Sequence, residues 1–347
     1  MKLLFITRKV DRDDGLAGFT FNWLKKFAEQ VAKLYVICLE RGNMAGLPNN
    51  VQVFSLGKEQ GKNRWQEFWK FQSLAKKLVP QADAIFSHQN PEYGLLIAPY
   101  AKIFRKKMIA WYAHGVISWK LRLLNMLADK IITSSEQGLR LTSRKKVVLH
   151  QGIDIDQFSF QEERQNKDLQ LLSISRLGAT KNIDLMIDLV RILQDKLHSS
   201  VLLKIIGAPA TPKDQTYFLA LKNKVNKLKL SDQISFLGSI ANQDTPPYYQ
   251  QADFFLNFSD TGSLDKTILE AMSCGTPVIS CNVAASAVLA DKLIFQKGDL
   301  PAAADKIISI LNLSDQARQD LSNSLRQQVV EHHSLEQLVK DILKQFS

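Results

Sequence analysis

The chain has 347 residues, more than the roughly 250 to 300 at which a single hydrophobic core stops growing, so two domains are expected. Apolar residues make up 45% and charged residues 23%, and 16 glycines and 10 prolines are too few for a collagen-like or disordered chain. The three cysteines are odd in number and lack metal-ligand spacing, which argues against a disulfide framework and a zinc site. A folded protein of a reducing cytoplasm is expected.

The net charge of +11 is unevenly distributed. Residues 1–150 contain 25 Lys and Arg against 11 Asp and Glu, a balance of +14, whereas residues 151–347 contain 20 against 23, a balance of −3. This asymmetry indicates an anionic partner for the first half, whether a phosphate, a nucleic acid or a lipid headgroup.

The apolar run that begins the chain ends at Arg8, which is too early for a signal-peptide core, and it predicts a buried strand. No window approaches the roughly 20 uninterrupted apolar residues of a membrane-spanning helix, so any membrane contact is expected to be peripheral. These features together predict a cytoplasmic protein, peripheral at the inner face of the cell membrane if it contacts a membrane.

Apolar, β-rich runs alternate with amphipathic stretches along the chain. In the first half they predict strands at residues 2–7, 34–39, 51–55, 84–88, 107–114, 130–133 and 147–149. In the second half they predict strands at residues 169–175, 201–207, 234–237, 254–257, 277–281 and 293–296. Continuous apolar runs separated by helices are typical of parallel sheets covered on both faces.

The pattern begins again near residue 168, after the polar stretch 161–168. We therefore predict an α/β fold of two doubly wound domains, residues 1–160 and 161–330, with the parallel sheets facing across a cleft. Open α/β sheets bind ligands at the carboxyl ends of their strands, so the cleft is the expected site.

Two cations, Arg176 and Lys181, follow the predicted strand that ends at Ser175. A guanidinium and an ammonium this close together suit a diphosphate, whose charge must be neutralised when it departs as a leaving group. A solvated loop explains two charges at this spacing equally well.

A polar loop from Asp260 runs into a helix whose amino-terminal amides can hold phosphate oxygens. Glu270 lies in this helix, inside the apolar run 268–272. An ionised carboxylate is costly there without partners, so a pair of sugar hydroxyls is a plausible ligand for it. The alternative, a glutamate on the helix surface, fits its apolar neighbours less well.

These motifs resemble those of the GT-B glycosyltransferases, specifically the retaining enzymes of family 4. The resemblance covers most of the chain and is strongest between residues 150 and 280. It is carried by His150 to Phe158, Ser175-Arg176-Leu177 with Lys181, Ile205 to Gly207, Phe236 to Gly238, and Leu269 to Ile279. Together these segments are specific, whereas singly only the last would identify the family.

The resemblance implies a role for each matching residue. Arg176 and Lys181 would hold the donor diphosphate, Glu270 the ribose, and the backbone near Gly238 and Ile240 would face the base. The turn Gly15-Leu-Ala-Gly18 would approach the donor phosphates or the acceptor, and His114 would lie at the sugar end of the site. The remaining implied donor-binding residues are Gly207, Gly262, Ser263, Leu264, Asp265 and Lys266. A final helix within about 331–347 would pack back on the first domain.

One departure from the family pattern concerns the motif Glu-x7-Glu. Its first carboxylate, which normally contacts the transferred sugar, is replaced by Gly262. Asp260 or Asp265 is a candidate substitute, a different sugar is a second explanation, and loss of activity is a third.

We therefore expect a retaining, hexosyltransferase-like enzyme that moves a sugar from a nucleotide diphosphate donor to an acceptor on the basic first domain. The resemblance implies that neither a cofactor nor a metal ion is needed, and the lack of a carboxylate cluster typical of catalytic Mg²⁺ at a strand end agrees with this expectation. The alternative is a catalytically impaired protein of this fold that binds an anionic surface or a nucleic acid. Under the enzyme hypothesis no nucleic-acid partner is expected.

The aromatic residues Trp65, Phe68 and Trp69 share one face of a predicted helix and are flanked by basic residues. This composition suits a lipid headgroup boundary and favours a lipid-linked or envelope-polysaccharide acceptor. The alternative is a helix that packs its aromatic side chains into the core, because the same spacing is typical of any core-facing helix.

Overall fold

The computed structural model describes residues 1–15, 17–161 and 167–347, which form two compact units. Unit 1 comprises Met1–Gly152, Ala241–Gln243 and Ser334–Ser347, and unit 2 comprises Ile153–Ile240 and Asp244–His333. The division falls before residue 153 and not after residue 160, because Ile153 and Phe158 are buried in the core of unit 2. Residues 162–166, part of the polar stretch at the predicted boundary, lie outside the described residues.

Unit 1 contains a parallel sheet. Its described strands are β1 (Lys2–Val10), β2 (Lys33–Arg41), β3 (Val51–Ser55), β4 (Ala84–His88), β5 (Lys107–Trp111), β6 (Lys130–Thr133) and β7 (Lys146–Val148). They are ordered β3-β2-β1-β4-β5-β6-β7 across the sheet. The helices that connect them are α1 (Gly18–Gln30), α2 (Arg64–Leu78), α3 (Pro91–Ile103) and α4 (Trp119–Leu127).

The central strand β1 shows why this sheet is covered on both faces. Successive side chains of a strand point to opposite faces, so Leu3 and Phe5 enter one hydrophobic cluster while Leu4 and Ile6 enter another. The first cluster includes apolar side chains of α1, and the second includes those of α2, α3 and α4. The continuous apolar run of β1 therefore follows from burial on both sides.

Unit 2 contains a second parallel sheet. Its described strands are β8 (Leu169–Ile174), β9 (Val201–Ile206), β10 (Ile234–Gly238), β11 (Phe254–Asn257) and β12 (Val278–Ser280), in the order β10-β9-β8-β11-β12. Its helices are α5 (Ile183–Leu197), α6 (Pro212–Lys227), α7 (Pro246–Gln251), α8 (Lys266–Ser273), α9 (Leu300–Leu311) and α10 (Asp315–His332). The two sheets confirm the predicted α/β fold with doubly wound parallel sheets.

The last helix, α11 (Leu335–Lys344), belongs to unit 1. Its buried side chains Leu338, Val339 and Ile342 join the same hydrophobic cluster as Phe27 of α1. Burying one apolar stripe while the opposite face stays polar is the usual pattern for a helix on a protein surface. Within the described part of the chain, no helix combines the length and apolar character needed to cross a bilayer.

Two strand predictions need correction. The predicted strand at residues 293–296 is wrong: within it a single bridge joins Ile294 to Ser280, and Gly298 at a φ of +89° follows in a turn. The predicted strand at residues 107–114 ends at Trp111, and Gly115 adopts a φ of +67°. An apolar run alone does not reveal such left-handed turns, which lie outside the extended region.

Candidate functional site

The sheet of unit 2 reverses its winding direction at β8, which has β9 on one side and β11 on the other. We call the carboxyl ends of β8 and β11, at Ile174 and Asn257, the unit 2 switch point. In open α/β sheets a crevice forms at such a point, because the connections leave the two strands in opposite directions. The segments that leave here are residues 175–182 after β8 and residues 258–265 after β11.

Lys181 and Asp265 form an ion pair at the unit 2 switch point. The Lys181 Nζ donates to Asp265 Oδ2 at 2.7 Å and to Ser259 Oγ at 3.2 Å. The same Asp265 oxygen accepts a hydrogen bond from Asn257 Nδ2 at 2.9 Å. The side chains are only 15% and 17% exposed, so water screens this pair less than a surface pair.

Hydrogen bonds hold the two segments of the switch point together. The backbone amide of Asp260 donates to the Thr180 carbonyl at 3.1 Å. The Asn182 side-chain amide donates to the Phe258 carbonyl at 2.7 Å. These bonds fix Lys181 at the end of a short 3₁₀ helix, Ala179–Lys181, so its ammonium reaches the loop before α8.

Arg176 lies on the same sheet edge, two residues beyond β8. Its side chain is 47% exposed, and its Nε lies 3.8 Å from Asp214 Oδ2. Asp214 is itself held at the start of α6, where it forms a capping box with Thr211. A guanidinium beside one fixed carboxylate and open to solvent can bind a further anion.

Gly207 and Gly238 lie at the ends of the neighbouring strands. A Cβ at Gly207 would be 1.8 Å from the Ser175 carbonyl oxygen, and its φ is +138°, so only glycine fits there. The Gly207 amide donates to the Gly238 carbonyl at 2.7 Å. Ile240, two residues on, packs partly buried against the core of unit 2. This close packing brings the ends of β8, β9 and β10 together.

Glu270 lies in the middle of α8 and is buried, with 5% of its surface exposed, so the surface alternative is wrong. Its Oε2 accepts a hydrogen bond from the Tyr249 hydroxyl at 2.8 Å. Burial and the negative charge of Glu270 both hold the pKa of Tyr249 well above its usual value, so Tyr249 remains a donor. One turn earlier, burial lowers the pKa of Lys266 to about 7, although Glu270 opposes the shift.

The two candidate substitutes for the missing carboxylate have different partners. Asp260 pairs with Lys297, whose hydrogen bond lowers the pKa of the Asp260 carboxyl, whereas Asp265 pairs with Lys181. Between them, Gly262 adopts a φ of +70°. The Ser263 carbonyl accepts a hydrogen bond from the Asn282 side chain at 2.9 Å, and Leu264 packs on the core of unit 2.

The remaining predicted residues lie in unit 1. His114 is exposed in the loop after β5, and its ring meets that of Tyr112 edge to face, with centroids 5.4 Å apart. Gly18 begins α1, where a Cβ would lie 3.2 Å from Asn242 Cβ. Gly15 is exposed in the preceding turn, and Leu16 lies outside the described residues.

The structure also brings in side chains that the sequence analysis did not assign to the site: Asp214, Tyr249, Asn257 and Ser259. Asp214 could have been found, because Thr211-Pro-Lys-Asp214 has the spacing of a capping box. The other three have no local sequence signal, since their partners Glu270, Asp265 and Lys181 lie in other elements.

The unit 2 switch point thus holds two cations that follow β8, each beside a carboxylate. Arg176 is beside Asp214, and Lys181 is bound to Asp265. In the described ranges, no group of three or more His, Cys, Asp or Glu side chains is arranged to hold a metal ion. An arrangement of two cations at a strand edge can bind a dianion if the anion competes with the carboxylates.

Residues 154–328 match the model of the family Glycosyl transferases group 1. The matched range covers most of unit 2 and contains Arg176, Lys181, Asp265 and Glu270. The family match and the switch point therefore fall in the same part of the chain.

Two curated relatives align with part of the chain. The alpha-monoglucosyldiacylglycerol synthase of Streptococcus pneumoniae is 32% identical over 44% of this chain and 37% of its own length. The lipopolysaccharide core biosynthesis mannosyltransferase LpsB of Rhizobium meliloti is 27% identical over 56% of this chain and 58% of its own length. The chain thus spans less than two thirds of the length of either relative.

Solved structures share the fold at low sequence identity. Anabaena HepE in complex with UDP is 16% identical, with a TM-score of 0.75 over 99% of each chain. The same protein with UDP-glucose is 18% identical, with a TM-score of 0.74 over 99% of this chain and 100% of that one. TarM is 11% identical, with a TM-score of 0.75 over 100% of this chain and 99% of that one.

Proposed function

The chain belongs to the glycosyl transferases group 1 family and has the two-domain GT-B fold, and from this we propose that it is a retaining glycosyltransferase. Unit 2 would bind a nucleotide diphosphate sugar, and unit 1 would bind the acceptor. The observation that carries the proposal is the placement of Arg176 and Lys181 together at the unit 2 switch point. HepE, of the same fold, is described in complex with UDP-glucose, which supports a donor of this class.

The chemistry would be stabilisation of the departing diphosphate. The bond between the anomeric carbon and the β-phosphate oxygen breaks, and the acceptor hydroxyl attacks the same face of the sugar. The hydroxyl proton passes to the leaving diphosphate, so the step needs no further base. Arg176 and Lys181 would neutralise the charge that develops on the phosphate, and fixed donors of this kind are worth about 3 to 4 kcal/mol each in a water-poor site.

The phosphate would need the ammonium group of Lys181, which forms an ion pair with Asp265. We propose that donor binding transfers Lys181 from Asp265 to the diphosphate, which leaves the Asp265 carboxylate to face the transferred sugar. Asp265 is favoured over Asp260 as the substitute for the missing glutamate, because Asp260 is paired with Lys297 instead. The residues from Gly262 to Lys266 would form the rest of this donor loop.

Glu270 would bind the ribose of the donor. Its Oε2 accepts the Tyr249 hydrogen bond, and a carboxylate is the kind of charged acceptor to which ribose hydroxyls donate. The backbone at Gly207, Gly238 and Ile240 would face the phosphates and the base. In unit 1, His114 and the turn at Gly15 and Gly18 stay proposed contacts of the sugar or the acceptor.

The acceptor is proposed to be lipid-linked or an envelope polysaccharide, reached from the cytoplasmic face of a membrane. Trp65 and Trp69 of α2 are 73% and 65% exposed, so the alternative in which they pack into the core is wrong for these two side chains. The buried face of α2 consists instead of Phe71, Ala75 and Leu78. Exposed tryptophans with basic neighbours suit a headgroup boundary.

A panel of sugar nucleotides tests the proposed transfer. A bound donor at about 100 times its dissociation constant should add roughly 2.7 kcal/mol to the free energy of unfolding, which a thermal-shift assay detects. Mass spectrometry of the product should show one added sugar, and NMR should show the anomeric configuration of the donor retained. An inverted anomer would contradict the retaining mechanism, and no turnover with any donor and acceptor would contradict the function.

Vesicle flotation tests the membrane contact separately. We expect co-flotation with anionic vesicles at low salt, lost at high salt and in the variants Trp65→Ser, Trp69→Ser and Lys76→Glu, Lys77→Glu. Leu219→Ser, at an exposed apolar position of unit 2, is the matched control and should float like the wild type. Equal flotation of all variants would contradict the assignment of the membrane contact to α2, and no flotation at low salt would leave a soluble acceptor as the better hypothesis.

A second candidate function is a non-catalytic protein that binds an anionic surface or a nucleic acid. It is favoured by the net charge of +14 in residues 1–150 and by the ion pair with Asp265 that neutralises Lys181. The donor panel separates the two functions, because only an enzyme turns the donor over. Binding of vesicles or nucleic acid without turnover would support this candidate.

A further inference from the structure

A cavity of about 840 Å³ opens in unit 1 between α2, α3 and the ends of β2 and β3. We call it the α2–α3 groove. Apolar side chains contribute much of its lining: Leu39, Leu56, Phe68, Phe71, Leu95 and Leu96. Its volume falls within the roughly 300 to 1,000 Å³ of small-molecule sites. The groove is therefore large enough for a ligand and mainly suited to an apolar one.

Basic side chains border the same groove. The lining contains four basic side chains, Lys58, Lys62, Arg64 and Lys120, and two carboxylates, Glu67 and Glu92. Glu92 forms an ion pair with Lys120. The groove thus has an excess of positive charge beside its apolar lining. A ligand that matches both features carries an anionic group joined to a hydrocarbon chain.

A second observation points to an anion at this end of the groove. Burial lowers the pKa of Lys70 in α2, and the adjacent positive charge of Lys62 lowers it further. Two ammonium groups close together repel each other, and a bound anion would relieve that repulsion. Glu59 offsets the repulsion in part, but it is also hydrogen-bonded to Ser55.

We propose that the α2–α3 groove binds the hydrocarbon chain of a lipid phosphate, with the phosphate held by Lys58, Lys62 and Arg64. This inference rests on the proposed function and deepens it, since it gives the chemistry of the acceptor or of its lipid carrier. The exposed Trp65 and Trp69 lie on α2, the helix that borders the groove. The part of the lipid's hydrocarbon chain that lies outside the groove can therefore stay in a bilayer. A free sugar phosphate fits less well, because it would leave the leucine and phenylalanine side chains of the lining without an apolar partner.

Isothermal titration with decyl phosphate below its critical micelle concentration tests the groove. Decanol supplies the chain alone and inorganic phosphate the charge alone. We expect decyl phosphate to bind at least tenfold more tightly than either. If inorganic phosphate binds as tightly as decyl phosphate, the basic residues form a plain anion site and the lipid assignment is overturned.

Variants locate the binding. Leu95→Trp, which fills the partly buried groove, and the pair Lys58→Glu, Lys62→Glu should each weaken decyl phosphate at least tenfold. The pair Lys222→Glu, Lys227→Glu makes the same charge change at exposed positions of α6 in unit 2, away from the groove, and should alter binding less than twofold. Equal binding by all variants would mean partition onto the protein surface only and would overturn the proposal. Leu95→Trp changes no charge, and an unchanged urea unfolding transition in both variants excludes misfolding as the cause of the weaker binding.

Donor binding by the same proteins separates this inference from the proposed function. Sugar-nucleotide binding to unit 2 without decyl phosphate binding would overturn the groove alone. Decyl phosphate binding that maps to the groove, without donor binding, would support the groove and contradict the transferase.

Discussion

Two sheets with the same order of their first strands carry different chemistry at corresponding places. In unit 1 the winding reverses between β1 and β4, the unit 1 switch point, and in unit 2 between β8 and β11. At the carboxyl end of β4, His88 is buried against the rings of Phe5 and Trp23, and its Nδ1 lies 3.2 Å from Thr7 Oγ1. At the unit 2 switch point the corresponding space is bordered by the Lys181–Asp265 ion pair.

The charges differ as well. Near the carboxyl end of β1, Lys9 lies within 3.1 Å of carboxylate oxygens of Asp11, Asp14 and Glu40, so one cation faces three carboxylates. Around the unit 2 switch point, Arg176 and Lys181 face one carboxylate each. The shared topology positions a site, and the side chains decide what it binds. An anion is repelled at the first place and can compete for cations at the second.

The largest expected effect is on turnover in unit 2. Arg176→Ala and Lys181→Ala should each lower kcat by about 100- to 1,000-fold, because the departing diphosphate loses a positive partner. Steady-state kinetics with the donor found in the panel provides the measurement. Lys224→Ala is the matched control, since Lys224 pairs with Asp188 at 2.6 Å elsewhere in unit 2 and should retain near wild-type kcat. Wild-type activity of both Arg176→Ala and Lys181→Ala would refute the leaving-group role.

The corresponding substitution in unit 1, at Lys9, should affect stability and not donor binding. Lys9→Ala leaves three carboxylates without their shared cation and should lower the free energy of unfolding by about 1 to 2 kcal/mol, between the surface and buried cases. Urea unfolding measures this loss, and calorimetric titration should show an unchanged donor affinity. If Lys9→Ala weakened the donor as much as Lys181→Ala does, the contrast between the two switch points would fail.

A smaller effect is expected at Glu270. Glu270→Gln replaces a charged acceptor by a neutral one and should weaken the donor by about tenfold, equivalent to about 1.4 kcal/mol. Titration of the donor into the variant measures the change. Tyr249→Phe removes the hydrogen bond to Glu270 but keeps the carboxylate, so it should weaken the donor less. An unchanged affinity in Glu270→Gln would argue against ribose binding.

The last effect concerns pH and separates Lys266 of unit 2 from Lys9 of unit 1. Burial lowers the pKa of Lys266 from 10.5 to about 7, so between these values the unfolded chain binds more protons than the folded one. The free energy of unfolding should therefore rise by about 2 kcal/mol between pH 7 and pH 9 relative to Lys266→Gln. For Lys9, burial lowers the pKa, but hydrogen bonds to Asp14, Asp11 and Glu40 raise it above the ordinary value, so Lys9 stays charged. Urea unfolding at pH 7, 8 and 9 should show a constant difference in the free energy of unfolding between wild type and Lys9→Gln. A constant difference between wild type and Lys266→Gln would contradict the lowered pKa of Lys266.

The strands of the fold could be predicted because each is a local feature. Strands β4, β6 and β11 begin and end where the apolar runs do, since burial on both faces requires an unbroken run. The predicted strand at residues 293–296 failed because its composition does not show whether a neighbouring strand is long enough to pair with it. Only one bridge to β12 forms there.

The site was less predictable, because its contacts join distant residues. Arg176, Lys181 and Glu270 could be selected by spacing and by resemblance, but nothing local to Lys181 indicates that Asp265 binds its ammonium. The aromatic residues of α2, Trp65, Phe68 and Trp69, show a second limit of prediction from the sequence. Their spacing fits a core-facing or an exposed face equally, and the exposure of Trp65 and Trp69 depends on the neighbours of α2, with Phe71 and Leu78 buried instead.

The most direct test of the central claim compares a nucleoside diphosphate with the matching monophosphate, each titrated into wild type, Lys181→Ala and Lys224→Ala. If Lys181 holds the diphosphate, the wild type and Lys224→Ala should prefer the diphosphate strongly. Lys181→Ala should lose at least about tenfold of that preference, a coupling of about 1.5 kcal/mol or more for a close charge pair. The same preference in all three proteins would contradict the assignment of Lys181 to the donor diphosphate.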